Sequence, residues 1–260
     1  MIHPILSAKA HTQNWIADHF SITTYGKRLA AFRDCHQGQR CFFIGNGPSL
    51  RAKDLDVLHE RGEICFAFNR IYNIYDQTQW RPTYYISQDE KMLKGCVEDV
   101  EKADLGTVFV PINLKWYHDI RLSSALWFLM KAPAMKGDMP LEFSDDITDG
   151  LYNSSTGMYT AAQIAAYMGI REIYMIGVDH HFHISQNNRG EIIVDNTVED
   201  YFSKKYNEDK DKLYIPNLEK STQTYVAMKT QCAQRGIQVY NASRQTKLEV
   251  FKRVGFESLF

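Results

Sequence analysis

Short apolar runs alternate with stretches of helical spacing along this chain, and that alternation limits the fold more than any other feature. Residues 41–44, 64–68, 83–87, 107–110, 172–176 and 237–240 read as buried strands, and helical patterns cover 50–61, 89–102, 156–168, 219–235 and 247–254. Strands of a parallel sheet are buried on both faces, so they appear as continuous apolar runs, and each return to the same edge needs a crossover helix. The expectation is therefore an α/β fold: a mostly parallel sheet with helices on both faces. The stretch containing Pro133 and Pro140 reads as irregular, and no internal repeat is present.

A length of 260 residues is enough for a full core and fits a single α/β domain over 1–260, with a helical extension at 1–38 and an insertion at 180–216. That insertion is longer than ordinary connections and rich in charge, including Lys204, Lys205, Glu208, Asp209, Lys210, Asp211 and Lys212, as expected of a lid. The chain carries 30 Lys plus Arg against 31 Asp plus Glu, a net charge of -1. It has no bulk attraction for polyanions, which argues against a nucleic-acid partner; an anionic ligand has to be met locally. The 5 cysteines are scattered without ligand spacing and read as reduced thiols. With His3, Lys9, His11 and Asp18 near the start, the N-terminus has no apolar targeting core, and the expected location is cytoplasmic.

The residues just past the strands are polar and small, and in open parallel sheets ligands bind at those ends. Gly45-Asn46-Gly47-Pro48-Ser49 follows the first strand. Its glycines permit a tight turn with positive φ and close approach to a ligand, and Ser49 is placed to cap the next helix and aim its amides at an anion. The same residues equally serve a plain strand-to-helix turn. A P-loop is excluded because no Gly-Lys-Ser/Thr follows, and a dinucleotide fingerprint would need an acidic residue where Asn69-Arg70 stands. Arg70 would accommodate the 2′-phosphate of NADP, which keeps a reductase as a weaker alternative. Ser87, Gln88 and Asp89 follow the third strand, and Ser154-Ser155-Thr156-Gly157 forms a second capped helix start suited to a phosphate or carboxylate. His180, His181 and His183, beyond Asp179, are candidate proton acceptors or donors, with metal ligation or a surface role as the competing uses. Asp89 and Asp179 would orient a base, bind ribose, or cap helices. Asp54-Leu55-Asp56 and Asp209-Lys210-Asp211 have the spelling of a metal-diphosphate motif but read as solvated, so no metal is expected. The aromatic content of 13% includes tyrosines near these loops, among them Tyr72, Tyr75, Tyr84, Tyr85, Tyr152, Tyr159, Tyr201, Tyr206 and Tyr214, together with Phe202, and several would suit stacking on a base or sugar.

Taken in order, Ile44 to Leu50, Phe68-Asn69-Arg70, Ser155 to Tyr159 and Ile173 to Asp179 resemble the motif series of the family 42 bacterial sialyltransferases. They resemble equally the related domain of motility accessory factor glycosyltransferases and of 6-hydroxymethylpterin diphosphokinase-like proteins. The resemblance implies a modified Rossmann-like fold binding a CMP-activated acid sugar at the strand ends. It places Asn46, Gly47 and Ser49 on the nucleotide, Asn69 near the phosphate and reacting centre, and Ser155, Thr156 and Gly157 on the donor. His181 falls where the sialyltransferases have a tyrosine supporting the leaving phosphate. One departure stands out: the sialyltransferase base is a histidine after the lid, and the corresponding stretch here, Tyr214-Ile215-Pro216-Asn217, has none. His180, His181, His183 or Asp89 would replace it.

The expectation is an inverting, metal-independent glycosyltransferase of bacterial surface polysaccharide or glycoconjugate assembly. Its site would comprise Gly45, Asn46, Gly47, Pro48, Ser49, Asn69, Arg70, Ser87, Gln88, Ser155, Thr156, Gly157 and Asp179, with the acid-base candidates above. Beyond the nucleotide-sugar donor no cofactor is expected; the partner would be a glycan or lipid-linked acceptor. The Lys252, Arg253, Phe256 and Phe260 segment would touch a membrane, pack as a helix, or contact another copy. Pyrophosphoryl transfer from ATP and Mg²⁺, and a catalytically silent binding module, are the alternatives.

Overall fold

The computed structural model describes residues 4–203 and 214–260. The charged run Lys204, Lys205, Glu208, Asp209, Lys210, Asp211 and Lys212, with Tyr206, lies outside them. Along the chain come β1 (Arg40–Ile44), β2 (Ile64–Phe68), β3 (Tyr84–Ile86), β4 (Thr107–Pro111) and β5 (Leu126–Phe128). Four two-residue strands follow: β6 (Met130–Lys131), β7 (Met135–Lys136), β8 (Met139–Pro140) and β9 (Leu151–Tyr152). The remainder are β10 (Glu172–Ile176), β11 (Ile184–Gln186), β12 (Ile192–Val194), β13 (Gln238–Asn241) and β14 (Lys252–Arg253). The helices are α1 (Pro4–Asp18), α2 (Thr24–Ala30), α3 (Ala52–Glu60), α4 (Glu90–Lys102), α5 (Ile112–His118), α6 (Gly157–Tyr167) and α7 (Leu218–Gln234). Eight strands build one sheet in the order β14-β13-β10-β1-β2-β3-β4-β5, with every pairing parallel.

The centre of that sheet is the core. Cys41, Phe42, Phe43 and Ile44 of β1 are completely buried, as are Ile173 and Met175 beside them on β10. Burial of each large apolar side chain contributes roughly 1.5–3 kcal/mol, which is why these strands are uniformly apolar. On α6, Ala161, Ala162 and Ala165 are fully buried and small enough to let that helix pack closely. The chain runs outward from β1 through β2 to β5, then returns to place β10 on the other side of β1. A crevice therefore opens past the carboxyl ends of β1 and β10, the switch point where open parallel sheets receive ligands.

Several local expectations need correction. The helix read from residue 50 begins at Ala52, because Gly47 to Leu50 closes its own turn through Leu50 N–H on the Gly47 carbonyl (3.0 Å). Arg51 is the N-cap, so Ser49 does not cap α3. The stretch read as irregular holds α5 and β5; the run Leu126-Trp127-Phe128 pairs in parallel with β4. The helix expected over 247–254 is absent. Thr246 Oγ1 accepts from Leu248 N–H (3.0 Å) and Asn241 Nδ2 donates to the Leu248 carbonyl (3.2 Å), side-chain bonds that compete with helix formation. Lys252 and Arg253 instead extend the sheet as β14 beside β13. The C-terminal aromatics fold back onto β1, with Phe42 against Phe260 (6.0 Å) and Phe256 (6.4 Å between ring centroids). Asp54 is buried and pairs with Arg244, and Asp56 accepts from Thr78, so neither is the solvated carboxylate expected.

Candidate functional site

A cavity of about 640 Å³ occupies the switch point. Gly45, Asn46 and Gly47 line it from β1, Phe68 and Asn69 from β2, and Gln88 and Asp89 from β3. The start of α6 contributes Ser154, Ser155, Thr156 and Gly157; the β10 end contributes Asp179, His180 and His181. Asn217, Lys220, Ser221 and Tyr225 of the α7 start close the far side with Tyr201 and Tyr214. A smaller cavity of about 280 Å³ adjoins it, sharing Gln88, Leu114 and Asn153 and reaching Asn113 and Lys131.

The Gly-Asn-Gly turn serves a different purpose from the one the sequence implies. Neither Gly45 nor Gly47 has positive φ. Both are needed because β10's loop lies against them: Gly45 N–H donates to the Ile176 carbonyl and Gly47 N–H to the Gly177 carbonyl (both 2.8 Å). A Cβ on Gly45 would sit 2.3 Å from the Gly177 oxygen. The anion facing this turn is the protein's own. Ser49 donates its backbone N–H (2.8 Å) and its hydroxyl to the carboxylate of Asp179. Asp179 is 7% exposed, and burial pushes its carboxyl upward against the Ser49 bonds that pull it down.

The α6 start is arranged otherwise. Thr156 caps it by accepting from Met158 N–H (3.3 Å), Ser154 Oγ donates to the Thr156 carbonyl (3.0 Å), and no acidic residue lies in the first turn. The positive end of this eleven-residue helix thus faces the cavity with hydroxyls around it and no carboxylate of its own. Gln88 fixes the loop from the β3 side: its Oε1 accepts from Thr160 (2.6 Å) and its Nε2 donates to Asn153 Oδ1 (3.3 Å).

Two non-glycine residues at strand ends adopt the left-handed region, Asn69 (φ 52) and His180 (φ 54). Such conformations cost of order 1 kcal/mol and are tolerated where surrounding bonds hold them. Ser87 Oγ donates to Asn69 Oδ1 (3.3 Å), and His180 Nε2 meets Thr222 Oγ1 (2.8 Å). Burial pushes His180 down to about 4, so its ring is neutral at pH 7. Asp89 caps α4 through Met92 N–H (3.0 Å), the capping alternative noted from sequence, and burial raises its carboxyl.

Four carboxylates line the cavity, and each has a protein donor: Asp179 has Ser49, Asp89 has Met92, Glu90 has His118 and the Tyr214 hydroxyl (3.1 Å), and Asp200 has His183 N–H (2.5 Å). Lys220 is the one lysine among the described lining residues. Asn46 donates Nδ2 to the Phe68 carbonyl (3.0 Å), while its Oδ1 is buried with no partner among the described residues, an acceptor a ligand N–H or O–H would satisfy. No three His, Cys, Asp or Glu side chains of the described residues converge as metal ligands.

Of the residues singled out from sequence, Gly45, Asn46, Gly47, Asn69, Gln88, Asp89, Ser155, Thr156, Gly157, Asp179, His180 and His181 line the cavity. Pro48, Ser49, Arg70, Ser87 and His183 do not. Arg70 is 5% exposed and packs by Cys96 and Tyr72, outside the cavity lining. Among the aromatics, Tyr201 and Tyr214 line the cavity; Tyr85 and Tyr159 are buried in the core, and Tyr75 donates to the Asp104 carbonyl (2.8 Å). Sequence reading overlooked Asn153, Lys220, Ser221 and the β11–β12 hairpin. The hairpin had a visible signal: Asn188-Arg189-Gly190, with Gly190 at φ 80, between two β-prone triplets.

No family model matches the chain, and no curated protein matches it by sequence. The parallel sheet with its switch point defines a Rossmann-like α/β protein. Among solved structures, the MAf glycosyltransferase from Magnetospirillum magneticum AMB-1 is similar with a TM-score of 0.53 and 14% identity. The likeness covers 94% of this chain and 39% of that one, so this chain spans well under half of its neighbour's length. The sialyltransferase CstII from Campylobacter jejuni, solved in complex with a substrate analogue, cytidine-5′-monophosphate, aligns with a TM-score of 0.47 and 14% identity over 84% of this chain and 85% of that one. At this identity the likeness is one of fold. Among the described residues no helix is long and apolar enough to cross a membrane.

Proposed function

We propose that this chain is an inverting, metal-independent glycosyltransferase of bacterial surface polysaccharide or glycoconjugate assembly, taking a CMP-activated acid sugar and a glycan or lipid-linked acceptor. The observation that carries the reading is the α6 start: a helix N-terminus with Ser154, Ser155 and Thr156 around it and no acidic residue in its first turn, at the switch point of a fold shared with a glycosyltransferase. A departing phosphate gains charge as the glycosidic bond breaks, and preorganised N–H and O–H donors stabilise that charge more than they stabilise the ground state. Asn46 Oδ1 would accept from the nucleoside, and Tyr201 or Tyr214 would cover it. The adjoining cavity with Asn113 and Lys131 gives an acceptor room to approach from the β4 side. Metal-independent chemistry is favoured because Asp54 and Asp56, which carry the Asp-x-Asp spelling, are bound to Arg244 and Thr78 away from the cavity.

Thermal shift with CMP, CDP, UDP, GDP, ATP and NADPH, each with and without Mg²⁺, tests the reading. Stabilisation by CMP and CDP without Mg²⁺ is expected. Stabilisation by ATP with Mg²⁺ and none by cytidine nucleotides would overturn it in favour of pyrophosphoryl transfer.

A further inference from the structure

The three histidines after β10 are separated by their partners. His180 is an anchor: the Thr222 hydroxyl already donates to the Leu218 carbonyl (2.8 Å), so His180 Nε2 must donate to Thr222, and its ring stands edge-on to Tyr225 (5.6 Å). His183 does not line the cavity; its Nδ1 meets the Asp195 carbonyl (2.9 Å). His181 lines the cavity and sets Nε2 against Asp195 Oδ2 at 2.9 Å.

Asp195 is held there by the hairpin. The register pairs Ile184 with Val194, and the next residue, Asp195, donates its N–H to the His183 carbonyl (2.8 Å), which brings its side chain alongside His181. The second carboxylate oxygen accepts from the N–H (2.9 Å) and hydroxyl of Thr197. These bonds from Thr197, and then from His181, keep the Asp195 carboxyl down at about 2. An ionised carboxylate is an acceptor only, so Nε2 of His181 carries a proton, and in the neutral ring the lone pair is then on Nδ1.

We infer that His181 is the general base of the site and that Asp195 is its positioning residue, which replaces a base expected at Asn217; this rests on the glycosyl-transfer reading above. The acceptor oxygen forms a bond to the anomeric carbon while the bond from that carbon to the donor phosphate breaks, its electron pair leaving with CMP. The acceptor proton passes to His181 Nδ1, Asp195 stabilises the imidazolium, and the proton then leaves to solvent. The charged groups facing His181 are Asp195 from the hairpin and Asp179 from the β10 end, and Asp200 and Lys220 line the same cavity. A ring that instead supported the phosphate would have to be protonated before the reaction, and the two roles have opposite pH dependence.

CMP release by the full chain from CMP-N-acetylneuraminate, with lactose or water as acceptor, reads the difference. Activity is expected to fall on the acid side. Asp195→Asn should lower kcat on the order of 10²-fold with little change in KM, move that limb to lower pH, and be partly rescued by Asp195→Glu. A wild-type profile in Asp195→Asn, or an alkaline limb that His181→Asn abolishes, overturns the pair alone. A wild type that releases no CMP and binds no cytidine nucleotide overturns the parent reading with it. ¹⁵N NMR of the histidines gives a readout independent of turnover: His181 protonated on Nε2 at pH 8 is expected, and protonation on Nδ1 overturns the assignment.

Discussion

The two sides of the crevice are built from similar sequence, small hydroxyl-bearing and glycine residues in front of a helix, yet they end in different states. On the β1–β10 side, amides and hydroxyl are consumed within the protein, by the Gly177 carbonyl and by Asp179. On the α6 side, Thr156 takes up the Met158 amide with its hydroxyl and the Tyr159 amide with its carbonyl, and the first turn holds no acidic residue. A turn that looks ready for an anion is therefore ready for a ligand only if the fold has not already supplied the anion.

The contrast is broken most severely at Gly45. Gly45→Ala drives a methyl into the Gly177 backbone, which cannot yield like a side chain, and should cost about 3 kcal/mol in urea unfolding, the upper end of the usual overpacking range. A cost under 1 kcal/mol would show that the two loops are not locked together. A second effect arises at His180, on the same locked side. Burial holds the folded imidazole at about 4 against 6.5 when exposed, so between these pH values the unfolded chain binds the additional proton and stability falls as pH falls. The loss should be on the order of 3 kcal/mol across that window. His180→Asn, which tolerates the left-handed backbone, should be flatter from pH 6.5 to 4 than the wild type, and parallel curves would refute the assignment. The smallest effect is expected on the open side. Thr156→Ala should cost about 1 kcal/mol as a lost cap while clearly weakening any cytidine nucleotide shift, whereas Ser49→Ala should leave that shift intact. Equal weakening by both would erase the distinction between the two sides.

The central strands were legible because burial on both faces leaves no room for polar residues: 64–68 and 172–176 coincide with β2 and β10. Peripheral elements were not. β5 has only three residues, and 247–254 has helical composition but is kept from forming a helix by side-chain bonds of Asn241 and Thr246. At the site, the loops that converge could be read from strand ends, since that follows from topology. Which donors stay free could not, because it depends on Asp179 meeting Ser49 and Asp195 meeting His181, contacts that arise only from strand order and hairpin register. Arg70 shows the same limit: its position beside Asn69 put it at the rim, and its side chain turned under α4.

The pairing of β1 with β10 also governs how the protein acquires its site. Arg40 lies opposite Glu172, more than half the chain away, and no crevice exists until that contact forms. Such high contact order makes closure of the sheet slow and late, because the loop entropy must be overcome before the contact gives anything back. Fragments ending before β10 have a β1 edge open to pairing with other chains, so a nascent or truncated chain is at greatest risk of misassembly at the same place where the finished protein would bind its ligand.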